Sequence, residues 1–289
     1  MTPIIKDYNK PPEKFTSNKR IQEIVKQILR DKNGKAISAY YYRAYVIEEL
    51  EIIYHKKCAY CESKPSVTSP LEIEHYRPKN RIEKTSHRGY YWLAYEWSNL
   101  LLACRKCNQH KSNKFPLVDE NMRCTDDKIN IADSKALLSE KPLILNPEQK
   151  SFCPQIHFIC RPDGSMKGIS KYGKATIEIF KLSDINERDE LIIARKQIVD
   201  KIIAQINTQL WLFKKKYLKL EGLHDYLKNE IFFKLLKNAN SPSSSYRFMY
   251  WMTYKKFDLF VIQPLSSRIA KEYSNIVAES FERFIQNRL

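Results

Sequence analysis

The sequence predicts a mainly helical protein built around one small metal module, and three observations carry that expectation. Apolar residues recur at helical spacing before Lys57 and again after Ala175. Two Cys-x-x-Cys knuckles, Cys58/Cys61 and Cys104/Cys107, bracket the stretch between them. Inside it, Leu71-Glu72-Ile73-Glu74-His75 alternates as a short strand does, with Leu71, Ile73 and His75 on one face. The expected division is residues 1–56, an N-terminal arm and helices; 57–117, the metal module; 118–172, an irregular segment and hairpin; and 173–289, a helical region.

Met1 to Pro12 carries Pro3, Pro11 and Pro12 without apolar periodicity and predicts an extended arm. Ile21, Ile24, Val25, Ile28 and Leu29 predict a helix, stopped at Asn33-Gly34. A second helix is expected from Ser38 through Tyr42, Tyr45, Val46, Leu50 and Ile53. Tyr40-Tyr41-Tyr42 at this spacing is core rather than a base-stacking surface. Ser63 to Pro70 reads as a loop, and Arg77-Pro78-Lys79 ends the strand. Asn80 to Ser98 is a basic, aromatic insert, a loop and then a short helix. Leu100-Leu101-Leu102 leads into the second knuckle, and Asn108 to Asn113 continues as a short helix.

Val118 to Pro154 lacks a sustained period and predicts irregular structure. Ile156 to Ile169, centred on Asp163-Gly164, predicts a hairpin. Leu191, Ile198, Ile202, Ile206 and Leu210 predict a long amphipathic helix over 185–220, and Leu223 to Leu236 another. Ser241-Pro242-Ser243-Ser244-Ser245 reads as a linker, and Phe281, Phe284 and Ile285 share a face of a last helix.

An apolar share of 43% with 12% aromatics excludes a disordered chain. A formal charge of +17, from 50 basic and 33 acidic residues, favours a polyanionic partner, with nucleic acid first. No apolar run reaches membrane-spanning length and no leader pattern opens the sequence, so the expected place is the cytoplasm, with no membrane contact. Seven cysteines, four of them in two knuckles, suit a reducing compartment with a metal better than disulfides.

Four thiolates in two knuckles suit a tetrahedral structural zinc, Zn2+, held by Cys58, Cys61, Cys104 and Cys107. The spacer between the knuckles is longer than in a tight finger because it contains the strand and the aromatic insert. Such a closed site has no open position, so the catalytic groups must lie elsewhere in the module. Cys124, Cys153 and Cys160 lack the spacing and read as packed thiols. Glu74 and His75 leave a regular strand on opposite faces, unless its end bends beside Arg77-Pro78. Asn108 and His110 lie roughly 200° apart round a helix, and Asn108 is the better placed to turn inward with Cys107.

Ile73-Glu74-His75-Tyr76-Arg77-Pro78-Lys79, then Ser98-Asn99-Leu100, then Cys104-Arg105-Lys106-Cys107-Asn108-Gln109-His110-Lys111 resembles the HNH endonuclease motif in a two-knuckle zinc frame, a ββα-metal module. More narrowly, the chain resembles PtuB-type HNH proteins of Septu and retron-associated anti-phage systems. The resemblance implies His75 as general base, Asn99 as the residue bracing the loop and the histidine, and Asn108 and Glu74 as ligands of a catalytic Mg2+ or Mn2+. Glu stands where Asp is common and Asn where His is common, so His110 or a carboxylate outside the motif is the substitute ligand. The implied activity is phosphodiester hydrolysis, of DNA first and RNA such as tRNA second. Arg77, Lys79, Arg81, Arg88, Arg105, Lys106, Lys111 and Lys114 are expected on the phosphates, and His87 is a further candidate. The implied partners are a PtuA-type ABC/SMC-like ATPase and, in retrons, reverse transcriptase with its RNA–DNA product. The helical C-terminal region is the expected docking surface, and Lys214-Lys215-Lys216 either joins a nucleic-acid track or forms a solvated face. The alternative is a non-catalytic, zinc-framed nucleic-acid-binding subunit of a defence complex.

Overall fold

The computed structural model describes residues 1–31, 43–65, 69–125 and 134–288. The expected stop at Asn33-Gly34, the cap at Ser38 and the Tyr40-Tyr41-Tyr42 cluster lie outside the described residues, as does part of the Ser63–Pro70 loop. Over the described residues the chain is mainly helical with two small sheets. It divides into two compact units, Met1–Phe158 with Gly168–Leu182, and Ile159–Lys167 with Ser183–Leu289.

The first unit opens with helices α1 (Glu13–Thr16), α2 (Lys19–Asp31) and α3 (Arg43–Ile53). Asn18 starts α2 by accepting from the amides of Arg20 and Ile21, which satisfies two of the donors a helix start leaves bare. Strands β1 (Leu71–His75) and β2 (Leu100–Cys104) pair antiparallel from Leu71↔Cys104 to His75↔Leu100. Every residue of β2 is buried, because α3 and α4 (Arg105–Lys111) both pack on the two strands. The aromatic insert between them is core: Tyr90, Tyr91, Trp92, Tyr95 and Trp97 are all buried, and Trp97 lies in a short 3-10 turn that ends at Asn99.

The N-terminal segment is extended, as expected, but it is bound along its length. Thr2 donates to Glu62 at 2.7 Å and the Ile4 amide donates to Pro147 at 2.9 Å. The buried Lys6 ammonium donates to the Leu100 carbonyl at 2.6 Å, lies 3.0 Å from Glu148 and sits over the Trp97 ring. Residues 117–125 and 134–148 are irregular apart from a 3-10 turn (Glu120–Met122), α5 (Lys135–Ser139) and a bridge between Leu117 and Pro142. Glu140 holds this segment down: wholly buried, it accepts from Arg77 Nε at 2.8 Å, Tyr90 Oη at 2.6 Å and the Cys124 amide at 2.8 Å. The expected hairpin forms from β3 (Phe158–Cys160) and β4 (Met166–Gly168), with Gly164 at φ +84 in the turn, where a side chain would be strained. Helix α6 (Lys171–Phe180), capped by Ser170, packs on α4 and stacks Phe180 on Tyr60 with centroids 3.8 Å apart.

The second unit is led by α7 (Ile185–Lys214), capped by Asp184 and broken once at Arg188 (φ −144, ψ 41). Leu191, Ile198, Ile202, Ile206 and Leu210 form its buried stripe. Helix α8 (Leu220–Tyr226) runs through a π-helical turn into α9 (Phe233–Asn240), followed by α10 (Arg247–Lys255), α11 (Gln263–Ser266) and α12 (Lys271–Gln286). Phe232 anchors the core, with the rings of Phe257, Phe281 and Phe284 at 5.6, 5.1 and 5.4 Å. The Ser241–Ser245 stretch is a turn rather than a spacer, since α10 folds back along α9, and Ser244 donates to Asn238 and Arg247 to the Ala239 carbonyl, each at 3.0 Å. Among the described residues no helix is long and apolar enough to cross a membrane.

Candidate active site and metal centre

The knuckles converge. The sulfurs of Cys58, Cys61, Cys104 and Cys107 all lie within 4.8 Å of one another, and all four residues are buried. Zn–S bonds of about 2.3 Å in a tetrahedron set sulfurs about 3.8 Å apart, and Cys61 and Cys104 stand at 3.7 Å. The donor set and spacing therefore fit zinc. The first knuckle is shaped by the Glu62 amide donating to the Cys58 carbonyl, with Glu62 at φ +64, and the Tyr60 amide points at Cys58 Sγ from 3.5 Å. The end of β2 supplies Cys104, and the first turn of α4 supplies Cys107. Burial pushes the Cys58 and Cys107 thiols up, while hydrogen bonds from Cys107 and Cys58 hold Cys104 down.

This frame sets α4 across β1, and the pleat of β1 sorts the other side chains. Glu72 and Glu74 share one face and meet α4. There Asn108 Nδ2 donates to Glu72 Oε2 at 2.7 Å, and Lys111 Nζ lies 2.5 Å from Glu74 Oε1. Lys111 also donates to the His75 carbonyl at 2.7 Å, so one ammonium ties α4 to the strand end. Burial pushes the Glu74 carboxyl up, and Lys111 pulls it back.

His75 is held from the other side. Its Nε2 lies 3.0 Å from the Ala94 carbonyl. A carbonyl can only accept, so Nε2 carries the hydrogen and Nδ1 keeps its lone pair. Burial, with the Lys79 and Lys111 charges adding to it, lowers the imidazole pKa to about 3, which leaves the ring neutral. Asn99, wholly buried, accepts from the Arg77 amide at 2.8 Å and donates to the carbonyls of Arg77 and Leu93 at 3.0 and 3.1 Å. It thereby fixes both the chain leaving His75 and the turn that presents Ala94.

Two expected phosphate contacts are corrected. Lys111 is wholly buried on Glu74, and Arg77 is buried on Glu140, so neither faces a ligand. His87 is also engaged at both ring nitrogens: Nδ1 accepts from the Gly89 amide at 3.1 Å and Nε2 donates to the Cys124 carbonyl at 2.9 Å. Lys79 is half-buried, while Arg81, Arg88, Arg105 and Lys106 remain on the surface. His110 is half-buried at the far side of α4, and its carbonyl accepts from Lys114. Glu72 and the role of Lys111 were missed by sequence reasoning. The available signal was period alone: Glu72 is two before Glu74 in a strand, and Lys111 is four after Cys107 in a helix.

Removing Lys111 strands a buried carboxylate. Lys111→Met is expected to cost roughly 3–5 kcal/mol in urea unfolding, with most of it recovered when Glu74→Gln is added. His87 gives a pH effect of definite sign. Burial holds its folded pKa below the unfolded value near 6.5. Below about pH 6.5 the unfolded chain takes up a proton that the folded chain refuses, so stability is full above that pH and falls as pH drops. Because the ring is partly exposed, roughly a few tenths of a kcal/mol per pH unit is expected. Comparing unfolding midpoints at pH 7.5 and 5.5 for wild type and His87→Gln, with the smaller loss in the variant, checks this.

With this geometry in view, residues 58–114 match the family model described as HNH endonuclease, and the chain carries that domain. It is similar to the Septu protein PtuB of Bacillus mycoides (strain KBAB4), 37% identical over 161 residues, covering 53% of this chain and 50% of that protein. It is also similar to the Septu protein PtuB of Bacillus thuringiensis, 24% identical over 161 residues, 54% of this chain and 47% of that one. The Septu protein PtuA of Bacillus mycoides (strain KBAB4) is 31% identical over 165 residues, 55% of this chain and 21% of that protein. The chain thus spans about half the length of the two PtuB proteins it matches. No solved structure matches it.

Proposed function

We propose that the chain is a metal-dependent HNH nuclease that hydrolyses nucleic-acid phosphodiesters, DNA first, as the nuclease subunit of a Septu-type anti-phage system working with a PtuA-type ATPase. The observation that carries this reading is the bond from His75 Nε2 to the Ala94 carbonyl. It leaves Nδ1 as the proton acceptor, in a ring that is neutral at neutral pH. Asn99 is the positioning residue behind it, acting through Arg77 and Leu93.

Glu74 and Asn108 would hold the catalytic ion, whereas His110, on the far side of α4, does not share their face. The second carboxylate, Glu72, already touches Asn108, so oxygen donors gather on this face, and such a set fits magnesium or manganese. When bound, that ion supplies charge stabilisation at the scissile phosphate. His75 accepts the proton of the attacking water, and Lys111 keeps the strand end and α4 in register meanwhile. Exposed Arg105 and Lys106 at the start of α4, with Arg81 and Arg88 on the insert, give backbone contacts that carry little sequence information.

The deciding experiment incubates the purified chain, alone and with a PtuA-type ATPase, with labelled DNA and RNA, with magnesium or manganese added or omitted. Metal-dependent cleavage is expected. Salt-sensitive binding without cleavage, even with the ATPase present, would replace this reading by that of a non-catalytic binding subunit.

A further inference from the structure

The end of α7 carries a surface that the nuclease site does not use. Trp211 is 54% exposed and Tyr217 76% exposed, and their rings lie 6.2 Å apart, tilted by 43°. Large aromatic faces left open side by side mark a contact surface more often than a bare one. The turn that pairs them is built: Lys216 takes φ +62, its amide donates to the Phe213 carbonyl, and the Tyr217 amide donates back to Leu212, both at 2.9 Å. Phe213 pins the turn against Tyr273.

Lys214, Lys215 and Lys216 fill the interval between the two rings, and Lys219 follows; all four are exposed, and none forms an ion pair among the described residues. The negative end of the α7 dipole accounts for a cation in its last turn, Lys214. It does not account for the lysines beyond, or for the open rings.

We propose that this turn is a second nucleic-acid contact, a platform for single-stranded nucleic acid that stacks bases on Trp211 and Tyr217 and sets phosphates on the four lysines. Charge complementarity selects a polyanion, and an open ring face selects a strand whose bases are unpaired, with little preference among them. The inference rests on the proposed function only for the class of polymer.

The test measures fluorescence anisotropy of labelled oligo-dT and of a matched duplex with the full chain. Both aromatic side chains are exposed, so Trp211→Ala with Tyr217→Ala is expected to leave the melting temperature unchanged and weaken oligo-dT binding by roughly 5- to 150-fold per stacked base, with duplex binding little altered. Replacing Lys214, Lys215 and Lys216 by Ala is expected to reduce the salt slope of log K by about 2. Unchanged oligo-dT affinity in the aromatic double variant overturns the proposal, as does a loss confined to association with the ATPase. A chain that cleaves nothing yet loses oligo-dT binding in that variant keeps this platform and discards the nuclease reading. A chain that cleaves normally, with binding untouched, does the reverse.

Discussion

Stripping zinc from the chain, or replacing Cys104 and Cys107 by serine, is expected to unfold the β1–β2–α4 module. None of its parts is stable alone. Helix α4 has seven residues, well short of the length at which isolated helices persist, and a two-stranded sheet is marginal in water. The four sulfurs join the loop before β1 to the end of β2 and the start of α4, so they close the module at its base. Structural zinc is worth roughly 10–16 kcal/mol in small peptides, which exceeds the net stability of most domains. Here α3 and α6 support the module from outside, so part of the unit should survive. A chelator titration followed by limited proteolysis checks the expectation: cleavage should open within 58–114 first. An unchanged digestion pattern at full metal release would show that the cysteines are merely packed.

The second large effect concerns rate rather than fold. His75→Ala is expected to lower cleavage about 100- to 10,000-fold, the usual contribution of a positioned general base. Among the described residues the side chain makes one hydrogen bond, to Ala94, so its loss should lower the melting temperature less than the loss of a fully bonded buried group. Asn99→Ala is the instructive contrast. It removes three hydrogen bonds from a wholly buried site and should reduce stability as well as rate. Single-turnover cleavage and thermal melts of both variants separate the base from its brace. Full activity in the His75 variant would remove the assigned mechanism.

Much of the site was legible because its signals are local. The two knuckle spacings lead directly to the sulfur cluster, the alternation of Leu71 to His75 marks β1, and Asp163-Gly164 marks the hairpin. What stayed hidden is the pairing of charges across distance. Lys111 looks like one more cation in a basic stretch, and only the fold shows it 36 residues away on the His75 carbonyl and on Glu74. Arg77 meets Glu140 across 63 positions and Lys6 meets Leu100 across 94, and no periodicity records such partners. Composition also misled at Ser241–Ser245, because serine and proline suit a tight helix-to-helix turn as well as a spacer. The phosphate role expected of Arg77 and Lys111 failed for the same reason, since solvation is the default for a charge until a buried partner is known.

Glu148 has a consequence for how the protein comes into being. Its carboxylate receives Lys6 from the arm and Tyr54 from beyond α3, so three separated stretches meet on one buried group. The arm and the chain beyond α3 gain this shared partner only once the segment that carries Glu148 has emerged during synthesis, and α6 lies further on still. The helices of the second unit, by contrast, find their partners mostly among close neighbours in the chain, as α9 and α10 do. Contacts of long sequence separation form slowly, so the first half of the chain to be made is expected to be the last to settle.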